Sequence, residues 1–197
     1  GDRIVYSFKV ADLFTVDSLA RSDSRKEGMA EQGRQDKESV IQGEKEQKDI
    51  QGYLAAHKID ARKTPKGAWV VVKDPGTGMA ADSGKLVSIK YRGQTFDGTV
   101  IDTNMDSSFH HAEPYIFIEG GGNLIPGLDD AIRGVRKGAK LTVYIPAVLG
   151  YGARPMSGTS KGYDNLIFDV ELIDVKDRPE PKPLQNPDTA QPKKSNR

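Results

Sequence analysis

The sequence predicts an α+β fold: an antiparallel five-stranded sheet wrapped on one short helix, preceded by a charged helical arm. Three observations carry this expectation. Alternating apolar runs, bounded by turns rich in Gly and Pro, recur between Thr64 and Val175. One stripe of helical spacing interrupts them: Leu128, Ala131, Ile132 and Val135 fall at i, i+3, i+4 and i+7. Upstream, Arg21 to Gly52 holds 15 charged residues in 32 and few large apolar ones.

Four segments follow in chain order. Residues 1–20 contain the run Ile4-Val5-Tyr6-Ser7-Phe8-Lys9-Val10, in which Tyr6, Phe8 and Val10 alternate with polar residues as in a half-buried strand. Residues 21–63 read as a solvated helical arm. Opposite charges such as Glu44 and Lys48 recur at helical spacing. Gly28, Gly33, Gly43 and Gly52 work against the helix, which is expected to end near His57 after an apolar face at Ile50–Ala56. Residues 64–176 form the folded domain. Trp69–Val72 is a strand and Asp74–Gly78 a turn. Leu86–Phe96 and Thr99–Ile101 flank Asp97-Gly98, a strong hairpin signal. Tyr115–Ile118 is a strand, Pro126 opens the helix, and Leu141–Ile145 and Leu166–Val175 complete the sheet. Residues 177–197 hold five prolines in 21 positions and no aromatic residue, the composition of a disordered tail.

Composition narrows the function. The formal net charge of +1 does not point to nucleic acid. No apolar run approaches the ~18 residues of a membrane span. Cysteine is absent, so disulfides and thiol chemistry are excluded. His110 and His111 read as a solvated loop pair, because only His57 remains as a third histidine; no metal or cofactor is expected.

The domain resembles the FKBP family of peptidyl-prolyl isomerases over its whole length. The resemblance rests on Val87-Ser88-Ile89-Lys90-Tyr91-Arg92-Gly93, Asp97-Gly98-Thr99-Val100-Ile101-Asp102, Asn123-Leu124-Ile125-Pro126-Gly127-Leu128, Tyr151-Gly152 and Leu166–Leu172, in family order and near family spacing. It implies a five-stranded sheet around a short helix, with a shallow apolar pocket for proline. Carried over residue by residue, Tyr91, Asp102, Ile125 and Tyr151 would perform catalysis. Ile101, Tyr115, Leu124, Leu128 and Phe168 would bind substrate. Tyr115 stands where the family usually has Phe, and Leu128 where many members have Trp. Ser160–Asn165 replace an Ile-Pro-Pro-like stretch, and Thr103–Glu113 is about three residues longer than in compact members; both alter the rim rather than the floor.

The implied partners are proline-containing polypeptides. The alternative is a non-catalytic binding or chaperone module on the same scaffold. The charged arm resembles bacterial envelope members of the family, some of them lipid-anchored, which implies a periplasmic or envelope location with a lipid-bearing Cys upstream of Gly1. It also raises a homodimer formed through the N-terminal segment. Ile4–Leu13 echoes Leu166–Val175 in pattern. Two readings are open for it: the last strand of a preceding similar unit, or an ordinary N-terminal strand.

The chemistry needs no nucleophile. Rotation about a peptide bond meets a barrier of ~18–20 kcal/mol, since resonance stiffens C–N. A catalyst must bind the twisted amide better than either planar form. The twisted amide has lost its resonance and charge separation, so an apolar pocket desolvates it at lower cost. As the family resemblance implies, the Ile125 N–H and the Tyr151 hydroxyl would donate to peptide carbonyls, and Asp102 would orient Tyr91 or a neighbouring donor. Taken singly, Phe168 and Leu128 also fit plain core packing, and Asp102 a turn.

Overall fold

The computed structural model describes residues 17–155 and 162–179. The expected strand at Ile4–Leu13, Met156, Ser160 and Lys161 of the rim, and the tail beyond Pro179 lie outside the described residues. Two compact units divide the chain, residues 1–57 and 58–197.

In the first unit, α1 runs from Asp17 to Ala56. It begins earlier than expected and passes through all four glycines. Nothing lies within 4 Å of where a Cβ would stand on Gly28, Gly33 or Gly52, so these glycines cost helix propensity without creating a packing conflict. The arm is not solvated all round. Glu46, Ile50 and Leu54, spaced i, i+4, i+8 along one face, are buried. Gln42 Nε2 donates to Glu46 Oε1 at 2.8 Å. At the end of the helix the His57 ring stacks on Tyr53 with centroids 4.0 Å apart. No described helix is long and apolar enough to cross a membrane.

In the second unit the strands are β1 (Arg62–Lys63), β2 (Trp69–Asp74), β3 (Leu86–Thr95), β4 (Val100–Thr103), β5 (Tyr115–Ile118), β6 (Lys140–Ile145) and β7 (Leu166–Lys176). They pair antiparallel in the order β1-β2-β6-β7-β3-β4, and β5 also pairs with β3. Five strands were expected and seven form, for two reasons. β1 adds a two-residue edge that pairs with β2 upstream of Thr64. β5 and β4 share one edge of β3, at Leu86–Ile89 and Arg92–Gln94 respectively, so one strand position is filled by two segments. The Asp97-Gly98 hairpin forms as read: the Gly98 N–H donates to Thr95 O at 3.0 Å and Gly98 has φ +89°.

Strand alternation builds the core. Leu141, Val143 and Ile145 of β6 pair with Val170, Phe168 and Leu166 of β7, all buried. The other face is mixed: Tyr144 and Ile167 are buried there, and ion pairs join its charged positions, one of them from β2. Lys73 meets Asp169 at 2.8 Å and Lys140 meets Glu171 at 2.9 Å. The helix α2 (Pro126–Ile132) closes the apolar face with Leu128, Ala131 and Ile132. It packs tightly on β6: a Cβ at Gly127 would lie 2.5 Å from Ile145 Cγ2.

Candidate active site

Between α2 and the concave face of the sheet lies an open cavity of about 270 Å³. Its floor is aliphatic and aromatic. Phe168 and Leu128 are buried there, beside Ile89 of β3. Gly93 makes the position of Phe168 workable, because a Cβ at that point would stand 2.7 Å from the Phe168 ring. Tyr91 lines the cavity from β3, its ring centroid 6.1 Å from that of Phe168. Tyr115 and Asn123 stand at the exposed rim, and the Tyr115 ring stacks on Phe117 at 5.9 Å. Leu124 and Ile125 enter from the start of α2, and Tyr151 from the loop before β7.

Two of the lining residues carry donors without a protein partner among the described residues. Ile125 is the N-cap of α2, with φ −61° and ψ 143°. Its carbonyl accepts the N–H groups of Leu128 and Asp129 at 3.0 and 3.1 Å. Its own N–H has no partner among the described residues, because a helix start leaves its first donors unused. Tyr151 follows the 3-10 turn Ala147–Leu149. The next residue, Gly152 (φ +59°), returns its N–H to Ala147 O at 2.8 Å, which fixes the backbone behind the phenol. The Tyr151 hydroxyl has no hydrogen-bond partner among the described residues.

Asp102 is the one charged residue in the lining. Its Oδ2 accepts the Tyr91 hydroxyl at 2.6 Å and its Oδ1 lies 2.8 Å from His111 Nε2. Burial, then the bond to Asp102, lifts the Tyr91 phenol well above the ordinary tyrosine range. Burial, then the Asp102 charge, raises Tyr151 as well. Both phenols therefore keep their protons at neutral pH and remain donors.

Of the nine residues singled out from the sequence, eight line this cavity. Ile101 does not. It is the extra residue of a bulge in β4, where Gly93 faces Asp102 and Gln94 faces Val100. It packs instead against the core beside Gly93. Ile89 and Asn123 line the cavity without having been singled out, although each stands inside a motif used for the resemblance. His111 was read as part of a solvated pair, and its place beside Asp102 had one signal: the long Thr103–Glu113 loop.

Comparison with known proteins agrees with this architecture. The family model for FKBP-type peptidyl-prolyl cis-trans isomerases matches residues 78–173. The peptidyl-prolyl cis-trans isomerase FKBP15-2 of Arabidopsis thaliana is 41% identical over 101 residues, covering 51% of this chain and 60% of that protein. An FK506-binding protein of Neisseria meningitidis is 35% identical over 100 residues, covering 51% of this chain and 88% of that protein. The crystal structure of FkpA from Escherichia coli superposes with a TM-score of 0.57 at 27% identity, covering 82% of this chain and 71% of that one. The chain belongs to the FKBP-type peptidyl-prolyl cis-trans isomerase family. It spans under two thirds of the length of the Arabidopsis relative.

Proposed function

We propose that this protein accelerates cis–trans rotation of X–Pro bonds in polypeptides, by noncovalent binding of the twisted amide. The observation that carries this reading is one cavity combining an apolar floor with two unused donors, the Ile125 N–H and the Tyr151 O–H. A proline ring rests on Phe168 and Leu128. The donors hold the carbonyls on either side while the amide between them turns. Water is kept from the turning bond, and the less polar twisted form is favoured there over either planar form. Tyr91 and Asp102 brace one wall through their 2.6 Å bond.

The test is a proline-limited refolding assay, together with exchange spectroscopy on a short X–Pro peptide. Catalysed exchange supports the reading. Binding of the peptide at the cavity without faster exchange would make the domain a proline-segment binding module instead.

The N-terminal unit extends the proposal. The likeness to FkpA covers 82% of this chain, more than residues 58–197 supply, so it includes part of the first unit. We infer that residues 1–57 serve self-association and that the protein works in a bacterial envelope. Sedimentation of the whole chain against residues 58–179 tests the former, and cell fractionation the latter.

A further inference from the structure

The loop joining β4 to β5 is tied down at both ends. Asn104, buried, accepts the Tyr91 N–H on its Oδ1 at 2.6 Å. Its Nδ2 donates to Ile89 O at 3.2 Å and to Glu113 O at 3.0 Å. Thr103 Oγ1 donates to Tyr91 O at 2.9 Å and accepts the Met105 N–H at 3.1 Å. Within the loop the His110 N–H bonds to Ser107 O at 3.0 Å, and His110 takes φ +63°, a left-handed turn conformation that histidine adopts more readily than most non-glycine residues. That turn delivers the next residue, His111, to Asp102. The carboxylate is thus gripped from two sides, by the Tyr91 phenol at 2.6 Å and by the His111 imidazole at 2.8 Å. The imidazole and the carboxylate both reach solvent, their side chains being 46% and 35% exposed.

We propose that His111 determines specificity in the reaction proposed above, its charge state setting which side chains are accepted next to the proline. With the imidazole neutral, the Asp102 carboxylate is the one full charge in the cavity lining, and it repels an acidic neighbour of the proline. With the imidazole protonated, the pair sums to zero and that repulsion goes. The cavity is open to solvent and the pair is exposed at its mouth, so a residue flanking the bound proline passes beside the pair. The other titratable and charged groups around the pair are Tyr91 and Arg92 on β3, Tyr115 on β5 and Tyr151 in the loop before β7. The loop itself adds Asp106, His110 and Glu113. Tyr91 and Tyr151 are raised and hold their protons. Histidine is the side chain type that changes charge between about pH 5 and 8.

The inference rests on the isomerase reading, and the experiment separates the two. The whole chain is assayed on two peptides that differ only in Glu or Lys before proline. The ratio of kcat/KM for Glu-Pro over Lys-Pro should rise about threefold or more between about pH 8 and about pH 5.5. His111→Gln, which can still donate but not titrate, should hold the ratio at its high-pH value throughout. His111→Arg should hold it at the low-pH value. In the wild type, whatever the variants do, binding of the Glu peptide should shift the His111 titration upward and the Lys peptide should shift it downward, followed by NMR, because the coupling is reciprocal. A flat ratio in the wild type, a pH dependence that survives His111→Gln, or identical titration midpoints with both peptides would overturn the role of His111. No isomerisation of either peptide at any pH would defeat the isomerase reading itself and this inference with it.

Discussion

Tyr151 and Glu119 show what a single residue decides here. Tyr151 lines the cavity and its hydroxyl has no hydrogen-bond partner among the described residues, so under the proposed mechanism its removal takes away a donor to substrate and no internal hydrogen bond. Tyr151→Phe should lower kcat/KM about fivefold, equivalent to about 1 kcal/mol for one hydrogen bond, with the melting temperature unchanged. Equal turnover in the variant would remove Tyr151 from the mechanism. Glu119 lies at the far end of β5, fully buried, with Oε2 the one unpartnered buried side-chain atom among the described residues. Arg133 Nε reaches Oε1 only at 3.4 Å. Burial, reinforced by the nearby Asp129 charge, pushes the carboxyl up to about 7. The folded state therefore holds this proton more tightly than the unfolded chain does. Stability should fall as pH rises from about 4.5 to about 7, by about 3 kcal/mol from this group, and then level off. Denaturant unfolding at several pH values should show that slope in the wild type and lose it in Glu119→Gln. A slope of the same size in the variant would assign it to other groups.

At the scale of elements, close approach governs which residues are tolerated. Gly76 ends the turn after β2 with φ +66°, its N–H bonded to Asp74 Oδ1 at 2.9 Å. A Cβ there would stand 2.6 Å from both Lys137 O and Ala139 N, which are backbone atoms and cannot swing aside. Gly76→Ala should cost about 2 kcal/mol or more, through positive φ and overpacking together, measured by equilibrium denaturation; a cost under half of that would mean the turn relaxes freely. Leu128 carries the contact of α2 with the core and also the cavity floor. Leu128→Ala should cost about 2–5 kcal/mol as a large-to-small core change and raise KM. A variant that bound peptide normally would place the floor elsewhere. The helix, the Asp97-Gly98 hairpin and the long strands were readable from periodicity and turn chemistry, which are local. β1 was not, because Arg62-Lys63 has no strand pattern of its own and pairs only because β2 offers an edge. The bulge that withdraws Ile101 was not readable either, since register is decided between strands.

For the whole molecule, residues 58–179 hold every described strand and α2, and about 120 residues suffice for an independent core. This segment should unfold cooperatively by itself and show the proposed isomerase activity on short peptides. Loss of cooperative unfolding on removal of residues 1–57 would show that the two units fold as one. The sequence alone determined the class of fold, the helix, the hairpin and eight of the cavity residues, because periodicity and ordered motifs survive in one dimension. The tertiary structure alone decided that the Tyr91 phenol and the His111 imidazole grip one carboxylate, that Glu119 is buried without a full partner, and that Glu46 is covered on an otherwise charged helix. Tyr91, Asp102 and His111 are separated in the chain by a hairpin and a loop. Their meeting depends on how β3, β4 and that loop close in space, and burial of a charge depends on neighbours that no local pattern records.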